Sequence, residues 1–336
     1  MLLDATLPPA SLSSVPDIAR SAEALGFHAL WSSETQHDPF LPLALAAEHT
    51  NRIQLGTAIA VAFVRSPTVL AHTAWDLAEA SRGRFILGLG TQVRAHVERR
   101  FGMPWPDSPA GKLRDLIAAV RAVWRSWQEG EPLQHRGPYH RLTLMTPFFS
   151  PGPIDHPSIP VYIAGVNPAL CRLAGEMADG FLAHPYHSAE YLRQVVRPEI
   201  DAGAQRSGRA LADIQLCVTA MAATDEGEAE FVRSQIAFYA STPSYRPVME
   251  HHGWGAIADR LRALSRQTAW GEMPSLITDE MLSTFAVIAP ERELAGRLTE
   301  RYAGLADRLS LYLPYTPGSR DEFWRRLVDG MSAACG

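Results

Sequence analysis

Short, almost uninterrupted apolar runs alternate along this chain with longer segments whose apolar positions recur every three or four residues. Eight runs have the length of strands: Leu2–Leu7, Ala29–Ser33, Ile53–Ile59, Phe85–Leu89, Val161–Ala164, Phe181–Ala183, Ile214–Met221 and Leu309–Leu313. Continuous apolar strands joined by helical segments predict a parallel sheet covered on both faces. Eight of them predict closure into a (β/α)8 TIM barrel, with a doubly wound open sheet as the alternative.

The helical segments share a punctuation of polar cap, proline at the first helical position, apolar stripe and closing glycine. Ser66-Pro67 opens a helix that stops near Gly83, Ser108-Pro109 one that reaches Gly130, and Asn167-Pro168 one that ends before Gly180. In the second, Leu113, Leu116, Ile117, Val120, Trp124 and Trp127 fall on one stripe, as packing against a sheet requires. No shift in composition divides residues 1–336, so a single domain is expected. The irregular stretches 131–160 and 241–284 read as insertions in the βα loops, of the kind that form lids or pocket walls.

Composition narrows the field. A hydrophobic content of 46% with 20% charged residues provides for a large core. The formal net charge is −5 without long like-charged runs, which argues against nucleic acid. Lys112 is the single lysine, and its surroundings lack the glycine and Ser/Thr of a phosphate loop. Cys171, Cys217 and Cys335 have no paired spacing, so neither a disulfide framework nor a zinc site is expected. With no apolar run of about 20 residues and no leader-like start, the expectation is a cytoplasmic protein that engages no membrane.

In a barrel, chemistry belongs where strands end. After the second strand, SSETQHDPF brings Glu34, His37 and Asp38 together; two potential ligands on one loop make no metal site. The third strand continues apolar through Ala58 and Ile59, a surface that suits core packing or a flat ligand. After the fourth, Gly88-x-Gly90-Thr91 lacks the third glycine of a dinucleotide fingerprint. It reads either as a turn or as a backbone approach to phosphate, with Thr91 and Gln92 donating and Arg94 and His96 nearby. After the fifth, Gly165-Val166-Asn167-Pro168 opens a helix whose N-terminus suits an anion. The sixth ends with His184 and His187, rim histidines that are either ordinary loop residues or proton donors.

Taken in order, AEALGFHALWSSE, RIQLGTAIAVAFVRSPTVLA, GRFILGLGTQVRAH and IPVYIAGVNPALCRLAGEMADGF resemble the luciferase-like monooxygenase superfamily, and within it the coenzyme F420-dependent branch. The resemblance implies a luciferase-like barrel with a deazaflavin or flavin in its mouth. It also implies a non-proline cis peptide at Ala58-Ile59, phosphate contacts at Thr91, Gln92, Val166 and Asn167, Glu34 near the ring, and pairing as a homodimer. The histidine and glutamate that serve the sugar-phosphate dehydrogenases of this branch are replaced here by Thr35 and Val93.

The resulting expectation is an oxidoreductase that transfers a hydride between F420 and a small organic molecule. His37 and then His184 are the expected proton groups, Glu34 an orienting residue, and Phe40, Phe63, Trp105 and Tyr186 candidates for the pocket wall. The alternatives are an FMN-dependent monooxygenase and a cofactor-binding protein without turnover.

Overall fold

In a computed structural model that describes residues 1–333, eight parallel strands close on themselves. They are β1 Leu2–Thr6, β2 Ala29–Ser32, β3 Gln54–Thr57, β4 Phe85–Gly90, β5 Val161–Gly165, β6 Gly180–Ala183, β7 Gln215–Ala223 and β8 Arg308–Leu311. Each pairs with its neighbours in sequence, and β8 returns to β1 through Leu309 opposite Leu3, so the open sheet is excluded and the barrel holds.

The helices behave as their caps dictate. Ser66 accepts from the Val69 amide to start α3 (Pro67–Ala80), Ser108 from Gly111 to start α4 (Pro109–Glu129), and Asn167 from Leu170 to start α5 (Pro168–Met177). Gly130 takes φ +71° and ends α4. Preceding these are α1 (Val15–Leu25) and α2 (Leu41–His49); α6 (Arg197–Arg206), α7 (Glu226–Ala240), α8 (Glu291–Tyr302) and α9 (Asp321–Ala333) complete the outer ring.

Two cores result from the strand alternation. Leu3, Ala5, Leu30, Leu55 and Leu309 face the helices within one large apolar cluster. Trp31, Ile86 and Tyr162 belong to a smaller one inside the barrel, with Cys217. That interior is partly ionic: Asp4 and Arg308, each 2% exposed, form a bidentate pair with Nε–Oδ2 and Nη2–Oδ1 both 2.8 Å. The Trp31 indole donates to Asp4 Oδ2 at 2.9 Å, and Arg308 Nη1 to Gln54 Oε1 at 2.6 Å.

The two insertions are placed differently. Residues 131–160 carry a small hairpin, His135–Arg136 against Arg141–Leu142, pinned to α4 by the buried Asp115, which binds His135 and His140 at 3.0 and 2.7 Å. Farther on, Gly152 O accepts from the Trp75 indole. This segment is a strap along α3 and α4. Residues 241–284 are mostly helical and lead to a short strand, Ala286–Ile288, that extends the sheet beside β7. Among the described residues no helix is long and apolar enough to cross a membrane.

Candidate active site

The C-terminal ends of β1, β2, β6, β7 and β8 surround a cavity of about 540 Å³. Its floor is the barrel interior: Asp4, Trp31, Cys217 and Arg308, with Thr219 and Ser310 hydroxyls 3.0 Å apart above them. Burial pushes the Asp4 carboxyl up while the Arg308 charge pulls it down; burial works against Arg308 as well, but Asp4 outweighs it and raises the guanidinium. At Asp4 burial is the larger effect, so its carboxyl sits above the ordinary carboxylate range, and the bidentate contact with Arg308 opposes that rise.

One wall is the end of the third strand. There the Ala58-Ile59 peptide is cis, and Ala58 lines the cavity. The following pair, Ala60–Val61, rejoins the sheet against Leu89 and Gly90. Loop two holds this kink from behind. Ala58 N donates to Ser32 O, Ser33 Oγ to Ala58 O at 2.8 Å, and Glu34 N to Ile59 O. The Glu34 carboxylate accepts from the Val61 amide at 2.6 Å and from both terminal nitrogens of Arg65, at 2.7 and 2.9 Å. The Glu34 side chain is 7% exposed, paired, and absent from the cavity lining: it positions the strand end.

The glycines of the fourth strand serve the same kink. A Cβ on Gly88 would lie 1.8 Å from Thr57 O, and Thr57 Oγ1 donates to Gly88 O while accepting from its amide. A Cβ on Gly90 would meet Ile59 at 2.8 Å. The expectation that Gly90 clears space for a phosphate is thus corrected: Ile59 fills that space. Beyond it, Gln92 takes φ +58° and turns the chain, with its own Oε1 accepting from the Val93 amide. Thr91 and Gln92 remain partly accessible at this turn, whereas Arg94 pairs with Glu98 and His96 is exposed on the short helix Arg94–Arg99. Gly165 and Val166 lie half-buried at the end of β5, and Asn167 is exposed as the α5 cap.

Of the histidines, His37 is exposed and lines the cavity rim. His184 differs from expectation. It stacks on Tyr245 with centroids 4.4 Å apart, meets the edge of Tyr239, and accepts the Tyr186 amide at Nδ1. Burial in that aromatic setting, and then the neighbouring His187, lower its pKa to about 3, so it stays neutral and holds no imidazolium proton to give. His187 is also buried neutral, donating from Nδ1 to His184 O and accepting the Tyr302 hydroxyl. Phe40, Phe63 and Tyr186 are core residues and, like Trp105, do not reach the cavity; its apolar walls are Leu7, Pro8, Phe231, Leu313 and Pro314.

Sequence reasoning missed the floor and these walls. Their signal was present: Asp4 interrupts an apolar strand and Arg308 opens another, at positions that the alternation turns inward.

The model of the family described as luciferase-like monooxygenase matches residues 3–308. This chain belongs to that family. It is 46% identical to an uncharacterized protein of Mycobacterium tuberculosis over 91% of this chain and 92% of the relative. Over 57% of the chain it is 31% identical to an F420-dependent glucose-6-phosphate dehydrogenase of Intrasporangium calvum, of which it covers 60%. The solved coenzyme F420-dependent tetrahydromethanopterin reductase of Methanopyrus kandleri superposes with TM-score 0.78 at 21% identity, covering 99% of this chain and 98% of that one. Cys171 and Cys217 of this family member are buried free thiols, and Cys335 lies outside the described residues.

Proposed function

We propose that this chain is an oxidoreductase that passes a hydride between coenzyme F420 and a small organic substrate in the mouth cavity. The observation that carries the reading is the cavity wall at Ala58, where a kinked strand end is locked by Ser32, Ser33 and Glu34 into a fixed, apolar backbone surface beside Leu182. A planar tricyclic ring fits such a surface, and the volume of about 540 Å³ leaves room for a second molecule. The names of the F420-dependent relatives support the same choice.

F420, when bound, supplies the hydride chemistry; the chain supplies position and electrostatics. Val166, Asn167 and the start of α5 would hold an anionic tail through backbone amides and helix polarity, together with the turn at Thr91 and Gln92. Ala58 and Ile59 would bear the ring. His184 is absent from the lining, so His37, the histidine that does line the cavity, would carry a proton to or from the substrate.

The test is a titration of the purified protein with F420 and with FMN, followed by fluorescence. Saturable F420 binding at least ten-fold tighter than FMN is expected. The reverse order, with oxygen uptake in the presence of reduced FMN, would establish the monooxygenase alternative instead, and binding of neither removes both.

A further inference from the structure

Resting on the hydride-transfer reading of the same cavity, we infer that its substrate is an uncharged, largely apolar molecule, in contrast to a sugar phosphate. The argument is an inventory of charge. Three lining residues are formally charged, and each is already engaged. Arg308 donates from all three of its nitrogens, to Asp4 and to Gln54. Asp4 accepts from Arg308 and from Trp31. Asp38 accepts the Phe40 and Leu41 amides at the start of α2 and faces Arg65 at 3.3 Å.

Arg65 itself is committed to Glu34 and does not line the cavity. A phosphate placed here would lose its water without gaining a guanidinium or ammonium, a strongly unfavourable exchange. The remaining lining group able to take up positive charge is the single exposed imidazole of His37, a weak partner for a dianion.

The walls make the complementary case. Leu7 and Pro8 follow β1, Leu313 and Pro314 follow β8, and Phe231 leans in from α7. Phe231 is 56% exposed and Leu313 37%, so the edge of the cavity presents apolar surface to solvent. An apolar ligand would cover both. Beside them, the Tyr312 hydroxyl, which accepts from Tyr239 at 2.7 Å and donates to Gln235 at 3.2 Å, keeps a lone pair that can accept from a neutral hydroxyl on such a ligand.

The test uses two probes on one skeleton, 2-naphthol and 2-naphthyl phosphate, titrated calorimetrically at pH 8 into the full chain with and without F420. The neutral probe is expected to bind at least ten-fold tighter. Equal or tighter binding of the phosphate, or no binding of naphthol up to its solubility, overturns the inference. Leu313→Arg, which adds a free cation at the rim, is expected to cut that preference at least three-fold; unchanged affinities for both probes would place them elsewhere and overturn it too. F420 binding is read separately, so a protein that ranks the probes as expected but ignores F420 fails the cofactor reading alone.

Discussion

At the scale of single residues, the Asp4–Arg308 pair has the largest consequence for stability. Removing one partner leaves the other charge buried and alone, so Asp4→Asn is expected to lower the unfolding free energy by about 3–5 kcal/mol in urea, with Asp4→Leu/Arg308→Met less affected than either single change. His187 makes stability depend on pH. Its folded pKa is lowered from 6.5 to about 4 by burial, so the unfolded chain takes up the proton first. Its contribution is complete above pH 6.5 and is lost as pH falls toward 4, on the order of 3 kcal/mol in all. Denaturant midpoints measured across that window should fall, and fall less in His187→Gln. For His37→Ala, about a 10²-fold or greater loss of turnover with unchanged F420 affinity is expected from stopped-flow hydride transfer. The sequence displayed these residues but not their partners: Gly90 reads as a phosphate cradle until Ile59, thirty-one positions earlier, occupies the space.

Elements were more legible than residues because their signals are local. Cap, proline and closing glycine located α3, α4 and α5, since the same side-chain oxygen that marks the start accepts the orphan amide there. Ser66→Ala and Ser108→Ala are each expected to cost about 1 kcal/mol in thermal or urea unfolding. The third strand was read as one run through Ile59, but it stops at Thr57 and resumes at Ala60. Apolarity alone does not register such a break, because the groups that hold it lie on loop two and β4. Gly88→Ala should therefore destabilise far more than Gly90→Ala, by about 3 kcal/mol or more against about 1, because the first clashes with a backbone oxygen and the second with a flexible side chain. Differential scanning calorimetry of the two variants checks the order.

For the whole molecule, periodicity and strand count were enough to reach the barrel, since few architectures bury eight parallel strands on both faces. The placement of the insertions was not legible: the lining of the cavity comes from strand ends, the loops after β1, β2, β6 and β8, and Phe231 of α7, while 131–160 lies along the outer helices. What joins the barrel's first and last strands also sets when the site can exist. Asp4 emerges early from the ribosome and must wait 304 positions for Arg308, so a nascent chain of even 300 residues carries Asp4, Trp31 and Cys217 of the floor but neither their arginine nor the wall at Leu313 and Pro314. Ligand recognition in this protein consequently waits on the strand that closes the barrel.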